Sequence, residues 1–185
     1  MSAGATLLEV KGLTKHYPVR KGVFSQVSGQ VHAVDDVSFS IAEGETLGLV
    51  GESGCGKSTT GKTILRLIEP TSGSIEWRGR RFDRLNAAGM RPFRRELQAV
   101  FQDPYSSLNP RMRALDIVAE PIRNFETASE DAIRARVAAL FDKVGLRPDQ
   151  MVKYPYEFSG GQRQRLGIAR ALAPNPKLIV CDEPV

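Results

Sequence analysis

A glycine-rich segment of the chain has the residue types and spacing of a phosphate-binding loop. GESGCGKS, residues 51–58, fills every fixed position of the pattern G-x-x-x-x-G-K-[ST]. Glycines let consecutive backbone amides turn toward phosphate oxygens, and a helix that begins here adds partial positive charge. We expect Lys57 to reach the β- and γ-phosphates of a nucleotide and Ser58 to ligate Mg²⁺. The alternative is a flexible glycine turn with a solvated lysine. The predicted loop comprises Gly51, Glu52, Ser53, Gly54, Cys55, Gly56, Lys57, Ser58 and Thr59.

Two adjacent carboxylates, Asp182 and Glu183, follow the apolar run LIVC. Such a run is typical of a buried strand, which would present both acids at its carboxyl end. Beside a nucleotide, Asp182 would hold the Mg²⁺ shell and Glu183 would polarise the attacking water. The alternative is that the two acids only cap a strand at the surface.

The segment FSGGQRQR, residues 158–165, predicts a helix that begins after a serine and two glycines. The exposed amides of its first turn would form a second anion site. An ordinary glycine-rich helix start is the alternative. The residues concerned are Ser159, Gly160, Gly161 and Gln162.

Both strands and helices must position these motifs. LLEVKGL and VHAVDDVSFSI alternate apolar and polar residues, which predicts two strands of a small antiparallel sheet, and PVRKGVFSQVSGQ between them predicts a loop. TLGLVG predicts a fully buried strand that runs into the phosphate loop, and KSTTGKTILRLI predicts the helix after it. The order strand, loop and helix is the context that a phosphate loop requires.

The rest of the chain continues this mixture of strands and helices. SGSIEWRG and LQAVFQ predict two more strands, while SEDAIRARVAALFDKVGL has a serine N-cap, acids in its first turn and a glycine stop, which predict a helix. QRQRLGIARALA predicts a further helix that leads into the last strand. The fold class is therefore α/β.

The composition is typical of a soluble globular protein. The 185 residues are 41% hydrophobic and can bury one sizeable core, and the net charge of +5 leaves phosphate-bearing partners open without requiring them. Two cysteines are too few for a disulfide framework; Cys55 lies in the loop, and we expect Cys181 to be buried in the last strand. The sequence shows neither a leader pattern nor a membrane-spanning run, which predicts a soluble cytosolic chain.

The order of the motifs resembles that of ATP-binding cassette ATPases. The phosphate loop precedes VFQDPYSSLNPR, then FSGGQRQR, then IVCDEP. The resemblance covers the whole chain and implies a phosphate-loop NTPase core with an N-terminal antiparallel β subdomain and an inserted α-helical lobe. It implies a single domain in which the ATP-binding core occupies 1–102, the helical lobe 103–156, and the signature helix with the acidic strand 157–185.

The resemblance also assigns roles outside the phosphate loop. Tyr17, in KHYP, matches the aromatic residue that stacks on adenine; a tyrosine packed at the sheet edge is the alternative. Gln102, after LQAVF, matches the glutamine that contacts the metal and the water and reports the nucleotide state to a membrane partner; a surface glutamine is the alternative. Residues 159–162 match the signature that completes the nucleotide site of the opposite subunit, so a dimer would enclose two ATP molecules.

The resemblance is strongest to the second ATP-binding subunit of oligopeptide or dipeptide importers. It rests on the segments HYPVRKG, GESGCGKST and VFQDPYSSLNPRM. Nickel and glutathione importers share much of this sequence. The implied function is ATP hydrolysis, with ATP and Mg²⁺ as cofactors, that energises uptake. The implied partners are transmembrane permease subunits, a second ATPase subunit in a homo- or heterodimer and, indirectly, a substrate-binding protein. The implied location is peripheral, at the cytoplasmic face of the cell membrane. The transported substrate is not encoded here, because specificity belongs to other subunits.

Two basic clusters, RGRRFDRL and RPFRREL, raise the alternative of nucleic-acid binding. Such runs are usually a solvated face, and no aromatic interleaving or zinc module accompanies them. We therefore expect no nucleic-acid partner.

The resemblance implies further elements after the acidic strand, including a core strand and a histidine that contacts the γ-phosphate. The histidines of this sequence, His16 and His32, both precede the phosphate loop and cannot be that residue. We therefore expect the core to be incomplete at its C-terminal side. The hypotheses are an importer ATPase, a truncated fragment that binds ATP without hydrolysing it, and another phosphate-loop class such as a small-molecule kinase, against which FSGGQ and the glutamine loop argue.

Overall fold

The structure is a computed structural model that describes residues 5–21, 26–102 and 107–182. The chain forms two compact units, Met1–Met90 and Arg91–Val185. Each unit contains a sheet of its own, with four strands in the first and two in the second among the described residues.

The first unit is built on an antiparallel sheet in the order β2-β1-β3-β4, as the alternating pattern predicts. Its strands are β1 (Thr6–Lys21), β2 (Gln26–Ala42), β3 (Ser72–Trp77) and β4 (Arg80–Arg81). In the centre of the sheet Val10 pairs with Phe39 on one side and with Ile75 on the other. Val10 and Ile75 are buried, so the apolar face of this sheet forms the core of the unit.

The predicted loop at PVRKGVFSQVSGQ is wrong for most of its described residues. Strand β1 continues to Lys21 and strand β2 begins at Gln26, with Pro18 paired to Gln30 and Val19 to Gly29. Composition suggested a loop because Gly, Ser and Lys are poor strand formers. Pairing along the hairpin outweighs that preference, and residues 22–25 at its end lie outside the described part of the chain.

The predicted buried strand TLGLVG is also absent from the described structure: residues 46–51 belong to neither sheet. Leu47, Leu49 and Val50 are exposed, Val50 to 93%. A buried parallel strand forms only when neighbouring strands take up its backbone hydrogen bonds and helices cover its side chains. No described strand pairs with this segment, so its apolar side chains stay at the surface. The helix predicted after it is present as α1, Lys57–Ile64.

The second unit packs helices around a common apolar core. Helix α2 (Ala87–Glu96) contains the division between the units, and α3 (Ala114–Phe125), α4 (Glu130–Lys143) and α5 (Gly160–Leu172) follow it. Short 3-10 turns occupy Pro148–Val152 and Pro155–Glu157. The core includes Val118, Val137, Phe141 and Leu166, which are fully buried. None of the described helices has both the length and the apolar character that a membrane crossing requires.

Helix α4 begins and ends where its sequence signals place it. Ser129 is its N-cap and accepts a hydrogen bond from the amide of Ala132 at 3.3 Å. Glu130 and Asp131 occupy the first turn, where carboxylates stabilise the helix dipole. Gly145 follows the helix with φ +71°, a left-handed conformation that favours glycine.

Strands β5 (Leu97–Val100) and β6 (Leu178–Cys181) form a parallel pair in the second unit. The predicted strands LQAVFQ and LIVC are therefore present, although the first ends at Val100, two residues earlier than predicted. Cys181, however, is exposed rather than buried, so the prediction of a buried thiol is wrong. The reason is that β6 has a strand neighbour on one edge alone in the described sheet, and its residues are only half covered.

Candidate functional site

The phosphate loop is shaped by glycines that no other residue could replace without strain. Gly54 and Gly56 have φ of +82° and +94°, in the region that side chains disfavour. At Gly56 a Cβ atom would lie 2.0 Å from the carbonyl oxygen of Ala33, in strand β2. The backbone of the loop therefore packs directly against the backbone of the hairpin, and only glycine permits that approach.

Lys57 lies at the first position of helix α1 and closes the loop on itself. Its Nζ donates to the carbonyl oxygens of Gly51 at 2.8 Å and Glu52 at 2.7 Å, and it lies 3.7 Å from Sγ of Cys55. A bound phosphate oxygen would compete with these carbonyls for the ammonium, and a charged acceptor forms the stronger hydrogen bond. The lysine is thus held inside the loop by two neutral acceptors, and its contact with phosphate stays a prediction.

The start of helix α1 suits an anion. Gly56 is the N-cap residue and has no side chain with which to cap, and the first turn contains no acid. The amide of Thr60 begins the helical hydrogen bonds by donating to the carbonyl of Gly56 at 2.8 Å. Ser58 is exposed, and Lys57 and Thr59 are half-buried. Amides of a first turn carry partial positive charge, so this helix end can bind phosphate.

Cys55 takes a position that the sequence did not reveal. It is exposed, and its Sγ lies so close to Gly51 that a Cβ on that glycine would be 2.5 Å from the sulfur. A side chain at Gly51 would therefore displace the exposed thiol of Cys55, which occupies that space. Glu52, Ser53 and Gly54 are exposed around it.

Tyr17 lies in strand β1, paired with Val31 of β2. Its side chain is 37% exposed, and Nζ of Lys15 lies 4.9 Å from the centre of its ring. An exposed ring can take a stacking partner. Its contact with adenine stays a prediction.

The signature segment forms the start of helix α5 through a reciprocal cap. Ser159 Oγ accepts from the amide of Gln162 at 3.3 Å, and Oε1 of Gln162 accepts from the amide of Ser159 at 2.9 Å. Gly160 and Gly161 between them are exposed, with open space where side chains would be. The two glycine amides are therefore the accessible part of this helix end.

Arg163, which sequence reasoning missed, fixes the start of helix α5. Its side chain is 8% exposed, and its Nε donates to the carbonyl of Pro155 at 2.8 Å. A basic residue in the run QRQR reads as solvated, so no sequence signal marks this arginine as buried. It ties the signature helix to the 3-10 turn that precedes it.

The parallel pair of β5 and β6 brings two predicted metal-binding residues to one edge. Val100 pairs with Cys181, and the amide of Asp182 donates to the carbonyl of Val100 at 2.9 Å. Gln102 and Asp182 therefore both follow the carboxyl ends of adjacent parallel strands. Gln102 is exposed and Asp182 is half-buried. Glu183, the predicted base, lies outside the described residues.

Comparison with known proteins places these motifs in a family. The model of the family described as ABC transporter matches residues 34–185, which include the phosphate loop, the signature and the acidic strand. The chain belongs to the ABC transporter family.

Relatives of this ABC transporter chain include ATP-binding proteins of several importers. It is 52% identical over 182 residues to the glutathione import ATP-binding protein GsiA of Salmonella choleraesuis, covering 98% of this chain and 29% of that protein. It is 50% identical over 179 residues to the oligopeptide transport ATP-binding protein OppF of Lactococcus lactis, covering 97% and 56%. It is 49% identical over 181 residues to the oligopeptide transport ATP-binding protein AppF of Bacillus subtilis, covering 97% and 55%. The chain thus spans about half or less of the length of these curated relatives.

Solved structures agree with the family assignment. The ABC transporter chain matches the dimeric structure of a post-hydrolysis state of the ATP-binding cassette MJ0796 bound to ADP and Pi, with a TM-score of 0.85 and 32% identity. The match covers 97% of this chain and 75% of that one. The predicted α/β fold with an antiparallel β part and the resemblance to ATP-binding cassette proteins of peptide importers are confirmed. The division into 1–102, 103–156 and 157–185 stays a prediction.

Proposed function

We propose that this ABC transporter chain is the nucleotide-binding part of an ATP-hydrolysing importer subunit. The observation that carries the proposal is the phosphate loop, in which Gly56 packs on Ala33 and Lys57 is held by the loop carbonyls at the start of helix α1. An ammonium beside the first-turn amides of a helix whose N-cap is a glycine supports binding of an anion here. The likeness to import ATP-binding proteins of other organisms supports the same function.

Each predicted site residue would have its own role in ATP binding and hydrolysis. Lys57 would bind the β- and γ-phosphates and offset the charge that develops during transfer of the γ-phosphoryl group. Glu183 would accept a proton from the attacking water. Tyr17 would stack on adenine. The exposed amides of Gly160 and Gly161, with Ser159 and Gln162, would bind the nucleotide of a second subunit.

The predicted metal ligands fit Mg²⁺ by their donor atoms. Ser58, Gln102 and Asp182 offer a hydroxyl, an amide carbonyl and a carboxylate, and Mg²⁺ prefers oxygen ligands. When bound, the ion would neutralise charge on the phosphates. Gln102 and Asp182 lie at the same edge of a parallel strand pair, which supports a shared role.

The partners and the substrate follow from the relatives rather than from the site. Importer ATP-binding proteins imply transmembrane permease subunits, and the dimeric form of MJ0796 supports pairing with a second ATP-binding subunit. Peptides or glutathione are the proposed cargo, because the names of these relatives give oligopeptide transport and glutathione import. The proposed location is the cytoplasmic face of the cell membrane, and a substrate-binding protein would act indirectly through the permease.

The proposal is tested with the full-length protein and a matched pair of lysines on helix α1. Lys57→Ala should abolish ATP turnover, because it deletes the cation that faces the transferring phosphate. Lys62→Ala, in the last turn of the same helix, should leave turnover within a few-fold of wild type. Equal turnover in the two variants contradicts the proposed site. Nucleotide binding without hydrolysis in the wild type would favour the non-hydrolysing alternative.

A further inference from the structure

Two histidines face each other across the first hairpin. His16 of β1 pairs with His32 of β2, and their rings are stacked with centroids 3.8 Å apart and planes inclined by 25°. The sequence separates these residues, and only the register of the strands brings the two imidazoles together.

Asp35 joins the two rings. Its Oδ1 lies 3.3 Å from Nε2 of His16, and its Oδ2 lies 3.6 Å from Nδ1 of His32. The three side chains each offer one ligand atom, and these atoms all lie within 4.8 Å of one another. We propose that His16, His32 and Asp35 bind a divalent late transition metal ion of the Zn²⁺ type.

The distances and the donor set agree with this class of ion. Two ligand atoms that are each bound to a tetrahedral zinc ion lie about 3.3–3.4 Å apart, as follows from zinc–ligand distances of roughly 2.0–2.1 Å. The contact between His16 and Asp35 already has this length. Because the two rings are stacked, the exposed ring of His32 must rotate out of the stack before both imidazoles can direct a nitrogen at one ion. Two imidazoles with one carboxylate suit Zn²⁺, Ni²⁺ or Cu²⁺, whereas Mg²⁺ and Ca²⁺ prefer oxygen ligands.

One ligand is held in place and the other two are open to solvent. The backbone amide of His16 donates to Oγ1 of Thr71 at 3.0 Å, and its side chain is only 18% exposed. The side chains of His32 and Asp35 are 55% and 66% exposed, so an ion can enter and water can complete its coordination. The negative charge of Asp35 offsets part of the charge of the ion.

The site lies beside residues that the proposed function uses but does not depend on them. His16 precedes Tyr17, and His32 precedes Ala33, whose carbonyl supports Gly56 of the phosphate loop. A bound ion would cross-link strands β1 and β2 at this position and stabilise the hairpin. Metal binding and nucleotide binding can therefore be measured separately, and either can fail without the other.

The test measures Co²⁺ binding by visible absorption and Zn²⁺ binding by calorimetry, in full-length protein without an affinity tag. We expect one ion bound at this site and a higher melting temperature in its presence. His32→Ala and Asp35→Asn should each weaken binding by at least about tenfold, because each removes a ligand. Asp36→Asn is the matched control: it changes a neighbouring carboxylate that is not in the cluster, and it should bind as wild type.

Folding and binding are kept apart in the same experiment. Since His32 and Asp35 are exposed, the loss of their contacts with His16 should lower the metal-free melting temperature only slightly in either variant. Histidine ring signals in NMR spectra should shift on addition of Zn²⁺ in the wild type, and the signal that disappears in His32→Ala identifies one of the pair. Unchanged ring signals, or equal affinity in wild type, His32→Ala and Asp35→Asn, would overturn the proposal.

Discussion

The carbonyl oxygen of Ala33 occupies the place that a side chain at Gly56 would need. A Cβ at position 56 would lie 2.0 Å from that oxygen, and the φ of Gly56 is +94°. Backbone atoms of a strand cannot move aside as the end of a long side chain can. The hairpin and the phosphate loop are therefore fitted to each other at this one contact, and the motif glycine serves packing as well as phosphate binding.

Gly56→Ala should separate the phosphate loop from the hairpin, because its Cβ would clash with the carbonyl oxygen of Ala33, and it should abolish nucleotide binding. Gly44→Ala is the matched control, because Gly44 has a similar φ of +79° but open space around its Cβ. The left-handed conformation alone costs roughly 1–2 kcal/mol for a side chain. Urea unfolding should therefore show a clearly larger loss for Gly56→Ala than for Gly44→Ala. Equal losses would mean that the contact with Ala33 does not matter.

Sequence reasoning succeeded where the signals are local. The start of helix α1 after Gly56 and the N-cap of helix α5 at Ser159 depend on the conformational freedom of glycine and on a serine hydroxyl close in sequence. The glycine turn and the helix start that follows it could therefore be placed from the sequence, while phosphate binding there stays a prediction. The same is true of Ser129, which caps helix α4 as predicted.

Sequence reasoning failed where partners are distant. Residues 46–51 have the apolar pattern of a strand, but a strand also needs neighbours, and no described strand provides them. Cys181 is exposed for a related reason, since β6 pairs on one side alone in the described sheet. The contact of Ala33 with Gly56 was invisible because it involves a backbone oxygen, which carries no sequence signal.

The reactivity of the Cys181 thiol should depend on pH in an unusual range. Although the residue is exposed, the groups around its sulfur partly desolvate it, and this desolvation raises the pKa of the thiol. Less of it is therefore thiolate at neutral pH, and the thiolate is the reactive form. Labelling of Cys181 by a maleimide should therefore keep accelerating above the pH range usual for cysteine. Mg-ATP should slow labelling of Cys55, which lies in the phosphate loop, and leave Cys181 unaffected. Peptide mass spectrometry reads both rates, and equal effects of Mg-ATP on both would contradict the loop assignment.

The Asp83 carboxylate should contribute stability that acid removes. Burial acts to raise its pKa, but hydrogen bonds from Arg81, at 2.8 and 3.1 Å, and from the amide of Ile75, at 3.1 Å, outweigh it and hold the pKa below its ordinary value of 3.8. The lowered pKa means that this stability is full above pH 3.8 and is lost as the pH falls through the folded-state value.

Asp83→Asn should thus lower the free energy of unfolding at pH 7 by roughly 1.5–3 kcal/mol, the usual range for hydrogen bonds to a charged group. It should also flatten the loss of stability below pH 4, which urea unfolding across that range would measure. Glu43→Gln, which removes an exposed ion pair with Arg78 at 3.4 Å, is the control and should have little effect. If Asp83→Asn lost stability below pH 4 as steeply as wild type, other carboxylates would be responsible for that loss.

Ser159 should have two separable roles, a cap for helix α5 and a contact for nucleotide. Ser129 provides the matched comparison, because it caps helix α4 with the same 3.3 Å hydrogen bond and is not a predicted nucleotide ligand. Ser159→Ala and Ser129→Ala should each cost about 1 kcal/mol of stability, the typical value of a lost N-cap, measured by urea unfolding. Only Ser159→Ala should also reduce ATP turnover in the full-length protein, because the signature would complete the site of a second subunit. If both variants lost the same stability and kept wild-type turnover, Ser159 would be a structural cap alone and the signature would act through Gly160 and Gly161.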